Sequence, residues 1–312
     1  MWENWTSGRS LRRYVETLDP VKDDEEITRL VSNVLFADPY FVHSVFLVTF
    51  ARQAAVPAIA KVLYRSGNGD IATKPRLRNE DTIIFFTEFY RRGYTSEEGR
   101  AAIRRMEQIH SNFLIDEELK VYTLATVMLE PDRLANQFGR DPFSPLDREA
   151  RWNFWKAFAR SMPIELPSES RDEFLEWMID YERRNYAHTP EGEGIFEALV
   201  EDWRRWYPRW IPGSAKIARQ SLTGLLDDDL RKAMGQQRPP ALVQAQVNVV
   251  AKTYLRSTPY RVFRKDRNVI DFFGRNHANP RDLEHVGYTP KRKPAPAPED
   301  APATPPADRV AR

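Results

Sequence analysis

Residues 95–113 read TSEEGRAAIRRMEQIHSNF, and the placement of their apolar side chains decides the fold class. Ile103, Met106, His110 and Phe113 recur at spacings of three, four and three, which puts them on one side of a helix. Arg104, Arg105, Glu107 and Gln108 fall mainly elsewhere around the cylinder. Thr95 followed by Glu98 has the pattern of a capping box, and Gly93 marks the turn before it. The expected helix runs from Ser96 to about Phe113 and points an imidazole into apolar surroundings. Burying that ring costs free energy unless its nitrogens are occupied. Two ordinary hydrogen bonds satisfy the condition, and so does one hydrogen bond together with coordination of iron. Periodicity leaves both readings open.

The same period recurs along the chain, while strand-like alternation is scarce, so the sequence reads as all-α. Helices are expected at about 23–36, 39–64, 80–92, 96–114, 118–128, 131–137, 147–160, 168–185, 192–206, 213–224, 227–234 and 240–256. Gly and Pro mark the joints, and none of the gaps has the composition of a flexible linker. One large multi-helix domain over residues 1–275 follows, with 276–312 as an irregular to disordered Pro/Ala-rich tail. From Pro290 to Arg312 the chain carries Pro, Ala and charge, with Val310 its one bulky apolar residue, and cannot repay its ordering entropy by burial.

Composition narrows the chemistry. The 47 Lys and Arg against 45 Asp and Glu leave a net charge of +2, which gives no footprint for nucleic acid. Cysteine is absent, so disulfides, Cys nucleophiles, Cys-ligated zinc, iron–sulfur clusters and thiolate haem are all excluded. No leader-like run opens the chain, and charges interrupt its most apolar region, Val31 to Tyr64, so no transmembrane segment is expected. A cytoplasmic location is the expectation, with peripheral contact with a bilayer left open. The sequence lacks G-x-S-x-G, G-x-G-x-x-G, a P-loop and H-E-x-x-H. His43 sits in the apolar region as a distal-group candidate or a core residue, while His188, His277 and His285 form no site by spacing. Trp203 to Trp210 interleave aromatic and basic residues, as at a helix end where Trp packs inward and Arg faces water. Asp81 is expected to cap the helix that carries Phe85, Phe86 and Phe89.

Taken in order, Arg78-x-x-Asp81-Thr82, then Arg104-Arg105-Met106-Glu107-Gln108-Ile109-His110, then Tyr122-Thr123-Leu124, resemble the family of MpaB-type oxygenases and latex clearing proteins (rubber oxygenases). Leu225 to Gly235 and Arg238-Pro239-Pro240 resemble its C-terminal segment, so the likeness spans roughly 35–260. The resemblance implies a helical core enclosing haem b, with His110 as the iron-binding, cofactor-holding ligand. It implies distal, catalytic positions for Arg78 and Thr82. Asp81 stands where the rubber oxygenases place a lysine, a departure that weakens polyisoprene cleavage as the reaction. The implied activity is that of an oxidoreductase, an oxygenase that takes dioxygen and a hydrophobic small-molecule or lipid-like substrate. Haem binding without oxygenase activity, and a non-catalytic helical interaction protein, are the alternatives.

One consequence concerns the tail. Deleting residues 290–312 is expected to leave the helical circular dichroism and the Tm unchanged. A marked fall in Tm would show that the segment packs despite its composition.

Overall fold

The computed structural model describes residues 4–139, 141–266 and 268–288. Fifteen α-helices and one short strand pair follow in chain order among them. They are β1 (Trp5–Ser7), α1 (Gly8–Val15), α2 (Asp24–Leu30), α3 (Pro39–Ala54), α4 (Pro57–Tyr64), α5 (Asp70–Thr73), α6 (Pro75–Arg92) and α7 (Glu97–His110). Then come α8 (Glu117–Gln137), α9 (Pro145–Ser161), α10 (Arg171–Asn185), α11 (Pro190–Trp203), α12 (Ser214–Thr223), α13 (Asp228–Ala233), α14 (Ala241–Ser257), β2 (Val262–Arg264) and α15 (Ile270–Phe273). The all-α reading stands. The strands pair antiparallel, Trp5 opposite Arg264, and tie the two ends of the described chain together.

Several boundaries differ from expectation, each for a local reason. The stretch 39–64 is two helices, because Pro57 disfavours helical geometry at Val56, which is extended (φ −91°, ψ 113°). Helix α8 instead runs through Pro131 without a break. A proline inside a helix costs on the order of 3 kcal/mol, and here its neighbours are fixed from outside. Glu130 is held by Arg52, and Asp132 by Arg151 at 2.9 Å and Arg171 at 2.6 Å. Burial lifts the Asp132 carboxyl, but those two guanidiniums outweigh it and hold the group below the usual carboxylate range.

At the start of α7 the expected Thr95–Glu98 box does not form. Ser96 is the cap and accepts from the Gly99 amide at 2.9 Å. Thr95 gives its amide (2.8 Å) and its hydroxyl (2.8 Å) to Glu25, joining this turn to α2. Helix α6 begins at Pro75, so Asp81 lies well inside it and caps nothing. Of the aromatic–basic run, Trp203 is fully buried as expected, yet Trp210 is 82% exposed and Arg205 is buried against Asp202 and Glu80.

The buried apolar side chains form two clusters. One gathers α2, α3, α11, α12 and α13, and the other gathers α6 to α10. Among the described residues no single helix is long and apolar enough to cross a membrane. Residues 276–288, assigned to the tail by composition, are irregular but packed: Val286 is 1% exposed and Asn276 donates to Glu80 at 2.8 Å. Residues 289–312 lie outside the described residues.

Between the clusters sits a buried cation. Arg52 on α3, 2% exposed, donates to Glu130 of α8 and to Asp227 before α13 at 2.5 Å, and lies 3.6 Å from Glu182 of α10. Removing one partner from a buried ionic cluster costs about 3–5 kcal/mol, because the remaining charges lose their compensation. Arg52→Met is therefore expected to lower the free energy of unfolding by about that amount in urea titration. A loss no larger than that of a surface substitution would refute this role.

Candidate functional site

Where the two apolar clusters meet, the helices enclose a cavity of about 490 Å³. That volume lies within the ~300–1,000 Å³ range that holds cofactors and other small ligands. Phe46 and Phe50 of α3 line one side, Phe85 and Phe89 of α6 another, and Leu119 and Leu124 of α8 a third. Into this apolar lining project Arg78, Asp81 and Thr82 of α6 and His110 of α7. Residues singled out separately in the sequence thus share one cavity.

The spacing on α6 explains the grouping. Arg78 and Thr82 are one turn apart, and the Arg78 guanidinium donates to the Thr82 hydroxyl. The guanidinium also lies over the Phe50 ring, 4.7 Å from its centroid. Among the described residues no carboxylate lies close enough to form an ion pair with Arg78. Burial pushes its pKa down to about 10, so it stays cationic at neutral pH.

His110 is the last residue of α7, and its ring makes no hydrogen bond among the described residues. Burial, with the positive field of Arg78 and then Lys120, pushes its pKa down to about 4. At neutral pH it is an uncharged imidazole with an uncommitted lone pair. His43 is the opposite case. It accepts from Trp206 Nε1 at 2.8 Å through Nδ1, which leaves Nε2–H to donate to Asp202 at 3.0 Å. Both nitrogens are used, and the ring lines another part of the core, so the distal candidacy of His43 falls away. Burial lifts the Asp202 carboxyl, but His43, Arg205 and Asn79 together bring it down to about 2.

Sequence reasoning missed His277. Its Nε2 lies 2.6 Å from Asp81 Oδ1, and the side chain is 7% exposed. Burial raises the Asp81 pKa, with His277, Arg78 and the Gly287 amide acting in the other direction. Gly287 and Tyr288 complete the cavity wall. Gly287 has φ 84°, and a Cβ there would meet Ile109 Cδ1 at 2.8 Å, so glycine permits the close approach. Arg105 of α7 holds this segment by donating to the carbonyls of Leu283, Val286 and Tyr288, each at 3.3 Å. No sequence spacing announces a pairing across so long a stretch of chain.

Among the described residues no three His, Asp or Glu side chains converge to hold a metal ion by themselves. A lone neutral His110 facing an apolar cavity instead suits a metal whose other ligands arrive with a flat organic cofactor. Arg65 and Lys120 also line the cavity, as cations able to meet carboxylate substituents on such a group. The buried Arg65 Nε has no partner among the described residues. The side chains present therefore fit haem.

The family profile described as "ER-bound oxygenase mpaB/B'/Rubber oxygenase, catalytic domain" matches residues 35–256. The chain belongs to this family. The ER-bound oxygenase mpaB' of Penicillium brevicompactum is 25% identical over 205 residues, covering 60% of this chain and 48% of that protein. The ER-bound oxygenase mpaB of Penicillium roqueforti (strain FM164) is 24% identical over 200 residues, covering 59% of this chain and 66% of that protein. The chain thus spans about half of the first relative and just under two thirds of the second. A latex clearing protein solved in its closed state shares the fold, with a TM-score of 0.50 and 16% identity over 83% of this chain and 76% of that one. Within this oxygenase family, the segment that brings His277 and Gly287 to the cavity lies beyond the matched residues.

The depressed His110 pKa carries a stability signature. The unfolded chain binds a proton near the ordinary histidine value, about 6.5, and the folded chain binds it only near 4. This contribution to stability is present above the unfolded value and is lost as pH falls through the folded one. Cofactor-free His110→Gln is expected to lose less stability than wild type between neutral and mildly acidic pH, measured by urea titration. Identical losses would refute burial of the neutral ring.

Proposed function

We propose that this chain is a haem b-dependent oxygenase that acts on a hydrophobic, lipid-like small molecule with dioxygen as co-substrate. The observation that carries the reading is the uncharged imidazole of His110, without a hydrogen-bond partner among the described residues, facing an apolar cavity in a member of an oxygenase family. His110 would hold the iron, with Arg65 and Lys120 meeting the carboxylates of the cofactor. Haem, when bound, would supply the redox chemistry that activates dioxygen.

The chain's own residues do the rest. The phenylalanines of α3 and α6 exclude water and take up the substrate by apolar contact. Arg78, its guanidinium fixed by the Thr82 hydroxyl, presents its remaining N–H donors toward the space where oxygen and substrate meet. Asp81 gives this end of the cavity an acid where the rubber oxygenases carry a lysine, so we propose a substrate other than polyisoprene. A cytoplasmic site of action is part of the same proposal, resting on a cysteine-free sequence suited to a reducing compartment.

Absorption spectroscopy tests this reading. Protein purified from haem-sufficient cells is expected to show a Soret band that His110→Ala loses while circular dichroism keeps the helices. Wild type with no Soret band and no uptake of added haem would sink it. A Soret band without oxygen consumption across unsaturated lipids and isoprenoids would reduce the function to haem binding.

A further inference from the structure

Three histidines are buried or nearly so, and they differ in how their nitrogens are used. His43 has both committed and cannot exchange a proton without breaking a bond. His110 has neither committed among the described residues. His277 has one: Nε2 meets Asp81, while the buried Nδ1 has no partner among the described residues. The anchored nitrogen fixes the His277 ring against Asp81.

Asp81 stands between that ring and the cavity. Its carboxyl belongs to the cavity wall, and one oxygen is tied to His277 behind it. The pair is fixed from both segments that carry it. Asp81 lies inside the long helix α6, and the turn before His277 is held by the Asn276 bond to Glu80. The Arg78–Thr82 pair lies on the same helix and lines the same cavity. We propose that Asp81, backed by His277, delivers a proton to an oxygen atom of the molecule bound in the cavity.

The step is a proton transfer in two parts. The Asp81 O–H bond breaks as an O–H bond forms on the acceptor oxygen, which derives from dioxygen under the function proposed above, on which this inference rests. The carboxylate left behind accepts the Nε2–H hydrogen bond of His277 and regains its proton from solvent. No electrons move in either part. Asp81 touches the reacting molecule and acts as the acid, while His277 is the positioning residue. Burial, which raises the Asp81 pKa, is the environment an acid of this kind needs.

Arg78 shares the helix with Asp81 and, together with His277, bears directly on its charge. The other titratable groups facing the cavity are Arg65 and Asp70 before α6, Glu107 and His110 on α7, and Glu117 and Lys120 on α8. Any pH profile must be compared with variants of the pair itself for that reason.

The test uses the full chain with Asp81→Asn and His277→Gln, both of which keep a side chain able to hydrogen-bond, and circular dichroism to check folding. In cofactor-free protein, infrared difference spectra across pH 5 to 8 are expected to show a protonated-carboxyl band. That band should vanish in Asp81→Asn and shift in His277→Gln. In haem-loaded protein, Asp81→Asn is expected to lower kcat by about 10²–10⁴-fold with KM unchanged, the range lost with a general acid. His277→Gln should move the pH limb of kcat without moving KM. An infrared spectrum of Asp81→Asn identical to wild type overturns the proposal, as does an Asp81→Asn kcat equal to wild type. If wild type binds no haem, the oxygenase reading fails by itself, and the infrared comparison still decides whether the pair holds a proton.

Discussion

The guanidinium of Arg52 is the fixed point around which the helices assemble. It is buried, and its counter-charges come from three places far apart in the chain: Glu130 on α8, Glu182 on α10 and Asp227 at the cap of α13. Those carboxylates have further duties. Glu182 takes both arms of Arg133 (2.7 and 2.9 Å) and lies beside the Tyr122–Tyr186 hydroxyl pair, and Asp227 accepts from the Leu230 amide to start α13. A cation that must be neutralised by three elements admits few alternative packings. The geometry of α3 relative to α8 follows, and those helices form two walls of the cavity.

Polar groups in the core therefore divide into two kinds. In the Arg52 cluster and around His43, charges meet opposite charges or hydrogen bonds from within the chain, although Arg52 Nη1, Glu130 Oε1 and Asn79 Oδ1 lack a hydrogen-bond partner among the described residues. Around the cavity they are left short: His110 with an unpartnered ring, Arg78 without an ion-paired carboxylate, Arg65 Nε and His277 Nδ1 buried and unpartnered among the described residues. Unsatisfied groups are costly in a core. Those that line the cavity stand where a bound molecule can satisfy them.

Much of the framework was legible because helical periodicity is local. The apolar face of 103–113 placed His110 correctly toward the interior, although the helix itself stops at His110. Arg78 and Thr82 were grouped by the family resemblance, and their spacing of one turn on α6 is what brings them together. Other features depend on partners that no local pattern reveals. Asp81 was read as a cap because the aromatic run begins just after it, yet Pro75 starts the helix earlier and frees the carboxyl for another use. The continuity of α8 through Pro131 rests on arginines from α3, α9 and the start of α10. The β1–β2 pair joins segments from opposite ends of the described chain, each too short to announce itself.

The family-matched region ends at residue 256, but the cavity does not. Its last wall is a strap, residues 277–288, threaded across α6 and α7 and pinned by Arg105, the Asp81–His277 contact and the snug passage of Gly287. The cavity-lining residues of α3 to α8 and the strap thus occupy separate stretches of sequence. A change confined to the strap would leave the helices that carry His110 in place and alter the polarity of the cavity's far end. The character of that end is thus set by a segment outside the family-matched helices.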